Sequence, residues 1–288
     1  MQNEIPSALA SVLGSEFPEF DIHYESLSLS ENGKIPSGWD ACSCKLPKPL
    51  SKEELDRMRG LLVSHKVDVL QISHFLSKTR ISLFCFDMDS TLIKQEVIDE
   101  LARFAGVYSE VAHVTQEAMQ GNLDFKDALK KRCAYLKGLP SSSFAELYPK
   151  LELQPGVKNL IEGLKARKSK LGVFSGGFTD ILERFQKDHG IDEVRANFLD
   201  RIDGKLTGTV SGAIVDKFLK KDSLIELAEK YEIEKENIVA VGDGANDLLM
   251  LEEAGIGIGF HAKDGLKSKI LNYVDFAPMD ILLYLFES

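Results

Sequence analysis

Three stretches of the chain are apolar at nearly every position and then stop in polar or small residues. Ile-Ser-Leu-Phe-Cys-Phe at 81–86 runs into Asp87, Lys-Leu-Gly-Val-Phe at 170–174 into Ser175, and Asn-Ile-Val-Ala-Val at 237–241 through Gly242 into Asp243. A fourth run, Gly-Ile-Gly-Ile-Gly-Phe, begins at Gly255. Strands without polar alternation are buried on both faces, and the helical patterns that follow them predict an α/β fold with a parallel, Rossmann-like sheet covered on both sides. Ligands of such sheets sit beyond the carboxyl ends of the strands, where Asp87, Ser175 and Asp243 stand.

Between the first two runs the pattern is helical only, punctuated by Gly106, Gly121-Asn122, Gly138-Leu139-Pro140 and Pro155-Gly156. This predicts a helical insertion at 94–154 lying over the site, with the core formed by 81–93 and 155–288. Residues 1–80 are irregular at first and read as a small α/β accessory module. It would hold a strand at Ile22–Leu29, a turn at Glu31-Asn32-Gly33, a helix opened by a capping box at Ser51 and Glu54 and running to Ser64, and a second strand at Val67–Ile72.

Composition narrows the function. The chain of 288 residues is 44% hydrophobic and 28% charged, an ordinary balance for a globular protein of about two domains. Its net charge of −10 has the wrong sign for a nucleic-acid partner. An anionic substrate would then need locally placed cations or a bound metal ion. No run of apolar residues is long enough to cross a membrane, and the first residues lack the basic stretch of a secretion signal, so no membrane partner and a cytoplasmic location are expected. Cys42, Cys44, Cys85 and Cys133 lack the paired spacing of a zinc site and read as reduced thiols.

The chemistry concentrates at the strand ends. Asp87 and Asp89 are two residues apart, so both carboxylates leave the backbone on one side and repel each other unless a cation intervenes. Mg2+ suits one or two carboxylates completed by water and phosphate oxygens, with Asp243 as a further ligand. Asp87 could then attack phosphorus, while Asp89, its pKa raised by neighbouring carboxylates, could act as acid and then base. A DxD tripeptide by itself is also a common surface turn. Ser175-Gly176-Gly177 offers a hydroxyl and backbone N–H groups for phosphate oxygens, or simply a turn. Gly242-Asp243-Gly244-Ala245-Asn246-Asp247 gathers two acids and an amide where glycines allow close approach. Helix capping by Asn246 or Asp247 explains only one of them.

These motifs, Phe-Asp-Met-Asp-Ser-Thr-Leu, Ser-Gly-Gly, a lysine and Gly-Asp-Gly-Ala-Asn-Asp, in this order over about 81–288, resemble the haloacid dehalogenase-like phosphohydrolases, and more narrowly their phosphoserine phosphatase branch. The resemblance implies a helical cap of the C1 type and a phosphoryl group taken by Asp87, with Asp89 as acid and base. It implies Mg2+ on Asp87, the main-chain carbonyl of Asp89 and Asp243, supported by Asp247. Ser175 and Gly176 would bind phosphate, and Asn246 substrate or phosphate. A lysine would neutralise the transferring group: Lys220, Lys221 or, less suitably, Lys217. Lys220 is preferred because it shares a helical face with Leu224, Leu227 and Ala228.

In the predicted helix after Asp124, Phe125, Ala128, Leu129 and Leu136 define an apolar stripe, and Arg132 falls within it. A guanidinium there wants a buried partner, either an internal carboxylate or a substrate carboxylate. The resemblance points to the carboxylate of a phosphorylated amino acid, with Glu96 for its amino group and Met119 and Phe125 lining the pocket. The expected activity is Mg2+-dependent hydrolysis of O-phospho-L-serine, the last step of L-serine biosynthesis, in a chain that could form a homodimer. Two alternatives are phosphoryl transfer to homoserine or another small alcohol, and an amino-acid sensor with a vestigial phosphatase site.

Overall fold

The computed structural model describes residues 10–12, 14–15, 24–27 and 39–287. Strands β1 (Tyr24–Leu27) and β2 (Ala41–Cys44) pair antiparallel. The flanks of the expected Ile22–Leu29 strand and the Glu31-Asn32-Gly33 turn lie outside the described residues. Helix α1 (Lys52–Leu62) opens on a reciprocal capping box, in which Ser51 Oγ accepts from the Glu54 amide and Glu54 accepts from the Ser51 amide at 2.7 Å. It tightens into a 3-10 turn at Val63–His65, which ends on Lys66 in the left-handed region.

The strand expected at Val67–Ile72 does not form. Its polar groups are taken by side chains instead. Val69 O accepts from Arg59, Gln71 exchanges backbone bonds with the Asn272 amide, and the Asp68 carboxylate accepts from the amides of Asp275, Phe276 and Ala277. With Val69 O and both backbone groups of Gln71 engaged by side chains, the segment has less to offer a ladder, and the bonds from Asp68 and Gln71 fasten it to the edge of the main sheet.

From there the chain runs β3 (Leu83–Phe86), α2 (Val97–Ala105), α3 (Tyr108–Met119), α4 (Phe125–Tyr135), α5 (Ser143–Leu147) and α6 (Val157–Ala166). It continues through β4 (Lys170–Phe178), α7 (Thr179–His189), β5 (Glu193–Ile202), β6 (Lys205–Ser211) and α8 (Lys217–Lys230). Last come β7 (Ile238–Gly242), α9 (Leu248–Glu253), β8 (Ile256–Phe260), α10 (Asp264–Lys267) and β9 (Asn272–Val274). The sheet order is β6-β5-β4-β3-β7-β8-β9, parallel except for the β5–β6 hairpin. Both faces are buried: Phe84, Phe86, Val239 and Val241 pack on one side, Leu83, Cys85, Ile238 and Ala240 on the other. Because β4 lies on one side of β3 and β7 on the other, the topology switches beside β3, the place where an open α/β sheet leaves a crevice.

The β5–β6 hairpin was not anticipated, although Asp203-Gly204 between alternating stretches is a hairpin signal. Both turn residues have positive φ, 50° and 73°. Its β6 edge holds the chain that leaves α4: Gly138 donates to Leu206 O, Leu206 to Leu139 O, and Ser141 to Gly204 O. The helices between β3 and β4 therefore rest on the hairpin as well as on their two connections.

At the far end of the core, Asp280 is 2% exposed, with one oxygen accepting from Asn159 at 3.1 Å and Oδ1 unpartnered. Burial raises its pKa. The folded state then holds the proton more tightly than the unfolded chain, so stability is lost as pH rises from the ordinary carboxylate range through the raised value. Asp280→Asn keeps the acceptor and removes the charge. Thermal denaturation should show a Tm raised by about 2–5 °C near neutral pH, a gain that shrinks toward acid; a lower Tm at neutral pH would contradict this.

Candidate active site

Asp87, first residue past β3, is 3% exposed, and its amide donates to Val241 O on β7. Asp243, first past β7, and Asp247, just before α9, join it: the three carboxylates place oxygens within 4.8 Å of one another. Gly242 makes this approach feasible, since a Cβ there would stand 2.5 Å from Asp247 Cγ. Asp247 Oδ2 accepts from the amides of Asp243 and Gly244, and so fixes the turn. Asn246 is half-buried in the same turn, its Oδ1 lying against Gly244.

Lys220, in the first turn of α8, is 0% exposed and donates to Asp87 Oδ1 at 2.5 Å and Asp247 Oδ1 at 2.6 Å. Lys221 turns away toward Asp222, and Lys217 is exposed. A second cation, Lys263, reaches Asp243 Oδ2 at 2.8 Å and lies 3.7 Å from Glu96. Nothing in the linear pattern singled out Lys263, because its partners come from distant turns.

Burial raises the pKa of Asp87, with Asp247 adding to the rise and Lys220 opposing it. Burial also raises Asp89, helped by the Glu96 charge. The carboxylate repulsion expected from sequence is thus the lesser cause, and desolvation the greater. Asp243 is pushed up to about 6, first by burial. Burial alone would lower Lys220, but Asp247 and Asp87 outweigh it and hold the ammonium above its usual range.

Ser175-Gly176-Gly177 is not a turn after the strand but an irregularity inside β4. Phe174 pairs with Arg195 and Phe178 with Asn197, so three residues face Ala196 alone. Ser175 Oγ accepts from the Gly177 amide at 2.8 Å. Asp89 Oδ2 presses against Gly177, where a Cβ would lie 2.7 Å away, while Asp89 Oδ1 is buried without a partner.

Ser90 stands in the left-handed region at φ 61°, and its hydroxyl donates to Glu96 Oε1 at 2.9 Å. Glu96 precedes α2 and acts electrostatically on Asp89. Helix α4 begins at the site: the Phe125 ring lies over Gly176, with Cζ 3.0 Å from where a Cβ would be, and Lys126 pairs with Asp216 at 2.9 Å. Asp216 caps α8, the helix that carries Lys220. Arg132 lies two turns further along α4 on the face of Phe125. Among the described residues it makes no ion pair, its Nε is buried and unpartnered, and its charge is felt by the Asp99 carboxylate of α2. Met119, the last residue of α3 before the Gly121 turn, is 77% exposed rather than enclosed as a pocket wall would be.

A family model of haloacid dehalogenase-like hydrolases matches residues 81–255. Phosphoserine phosphatase of Streptococcus thermophilus is 48% identical over 181 residues, 63% of this chain and 84% of that protein. Phosphoserine phosphatase of Archaeoglobus fulgidus is 46% identical over 185 residues, 64% of this chain and 54% of its own length, so the match spans about half of that relative. The solved structure of a haloacid dehalogenase family hydrolase from Salmonella enterica serovar Typhi superposes with a TM-score of 0.86 at 29% identity, covering 100% of this chain and 96% of the other. The chain belongs to the haloacid dehalogenase-like hydrolases, and within them to the phosphoserine phosphatase branch.

The crowding at Gly177 gives a test. Gly177→Ala would drive a methyl group against Asp89 Oδ2 and Ser175 Oγ. Phosphatase turnover should fall by about a hundredfold or more, as misplacement of a reacting group predicts, while far-ultraviolet circular dichroism stays native. Turnover within threefold of the parent protein would refute the close placement of Asp89.

Proposed function

We propose that the chain hydrolyses O-phospho-L-serine to L-serine and phosphate with Mg2+ as cofactor. The observation that carries this reading is the convergence of Asp87, Asp243, Asp247 and Lys220 at the carboxyl end of the central strands, with Asp89 against the Ser175–Gly177 bulge. The identity of 48% to a phosphoserine phosphatase supports the substrate.

The residues fit a divalent cation. Among the described residues, Asp87, Asp89, Glu96, Asp243 and Asp247 gather around the ammonium groups of Lys220 and Lys263, so acids outnumber cations in a largely buried place. The donors are all oxygens, as Mg2+ prefers. Asp87, the main-chain carbonyl of Asp89 and Asp243 would hold the ion, with Asp247 behind them. Bound there, it supplies positive charge against the phosphate oxygens.

Asp87 attacks phosphorus as the bond to the serine oxygen breaks, and Asp89 gives its proton to that leaving oxygen. Asp89 then takes a proton from a water molecule whose oxygen displaces Asp87 and releases phosphate. Its raised pKa suits the first task and keeps it basic enough for the second. Lys220 neutralises charge on the transferring group, while Ser175, Gly176 and Asn246 hold phosphate oxygens. Arg132 binds the substrate carboxylate, Glu96 its ammonium, and Phe125 forms a wall above Gly176. The helices of 94–154 act as a cap that excludes bulk water, and residues 1–80 as an accessory module. Among the described residues no helix is long and apolar enough to cross a membrane; a small zwitterionic substrate fits a cytoplasmic location.

Phosphate release should be measured from phosphoserine, phosphothreonine and phosphoethanolamine, with and without Mg2+. Phosphoserine should be the preferred substrate and Mg2+ necessary. Arg132→Ala should lower kcat/KM for phosphoserine by about 30-fold to several thousandfold, as loss of one partner of a buried charge pair predicts. Phosphoethanolamine, which lacks the carboxylate, should be nearly indifferent to the change. Equal losses on both would overturn the role of Arg132, and no hydrolysis of phosphoserine would overturn the function.

A further inference from the structure

We propose that Asn197 is a positioning residue that aims the phosphate-holding bulge and ties it to the helix carrying Lys220. The inference deepens the proposed function and rests on Ser175 and Gly176 contacting phosphate. Asn197 lies on β5 directly after the mismatch in register and is 1% exposed. Its Nδ2 donates to Gly176 O at 2.8 Å, and its Oδ1 accepts from the Val215 amide at 2.9 Å.

Each bond has a consequence. An inserted residue in a strand loses its ladder partner, and Gly176 O, turned out of register, is satisfied by Asn197. With that carbonyl drawn toward β5, the neighbouring amides are held in one orientation. Gly176 also packs near Val215, whose carbonyl would be 3.9 Å from a Cβ on the glycine. On the other side, Val215 precedes Asp216. Asp216 Oδ1 accepts from the amides of Phe218 and Leu219 at 3.0 Å, and its main-chain carbonyl accepts from the Lys220 amide at 2.9 Å. A single amide side chain therefore joins the bulge to the start of α8, and the two groups that would face a phosphate from different sides keep a fixed separation. The position needs one donor and one acceptor within a short side chain. Aspartate keeps only the acceptor, serine is too short to span both partners, and glutamine is too long.

Asn197→Asp and Asn197→Ser test this, with affinity for inorganic phosphate measured by calorimetry in the presence of Mg2+ alongside kcat, KM and Tm. Both variants should bind phosphate about tenfold or more weakly and lose about thirtyfold or more in kcat, while circular dichroism of the folded protein is unchanged. If one variant fails to fold, the other decides. Parental phosphate affinity and kcat in a folded variant, with only Tm lowered, would mean that Asn197 merely supports the strand, and would overturn the proposal while the proposed function stands. A parent protein that neither binds phosphate nor hydrolyses phosphoserine would overturn both.

Discussion

Lys220 is bonded to Asp87 and Asp247 without access to water, and the rest of the molecule is arranged so that this pairing can exist. An ammonium and several carboxylates in a dry interior are costly unless each finds its partner with good geometry. The sheet provides that geometry. It ends adjacent strands at the same level, one carrying Asp87 and the other Asp243, and α8 brings its first turn across both. Glycines at 242 and 177 remove the side chains that would separate the acids from their neighbours. The excess of acids over ammonium groups makes the place receptive to a cation, which would in turn offset the charge of an anionic substrate.

Around that centre, the fold controls approach. Phe125 and Lys126 open α4 directly on the bulge and on the cap of α8, so movement of the inserted helices would act on the proposed phosphate end of the site. The β5–β6 hairpin steadies the other end of α4 through backbone bonds at Leu206 and Gly204. A left-handed Ser90 turns the chain between Asp89 and Glu96, which places the proposed acid and base beside the residue proposed to hold the substrate ammonium.

Much of this was legible in the sequence because buried strands announce themselves. Unbroken apolar runs led to Asp87 and Asp243 at strand ends and to Ser175 within β4, and helical spacing picked Lys220 over Lys221. Other features left weaker traces. The hairpin alternates rather than running apolar, so its Asp-Gly turn is the main mark it leaves in the sequence. Val67–Ile72 has the composition of a strand, but its backbone is claimed by Arg59 and Asn272, partners that no local pattern reveals. Met119 stands exposed because it ends α3 just before the Gly121 turn. Asn197 and Lys263 left no trace for a common reason: their partners lie far away in the chain.

The central claim is that the buried acids form one cation site whose occupancy competes with protons. Calorimetric titration of the protein with Mg2+ at about pH 7.5 and about pH 5.5 tests it, since ligands must be deprotonated to bind. With Asp243 pushed up to about 6, binding of one ion per chain should be tight at the higher pH, release protons, and weaken markedly at the lower. Absence of binding, or an affinity indifferent to pH and to Asp243→Asn, would contradict the account.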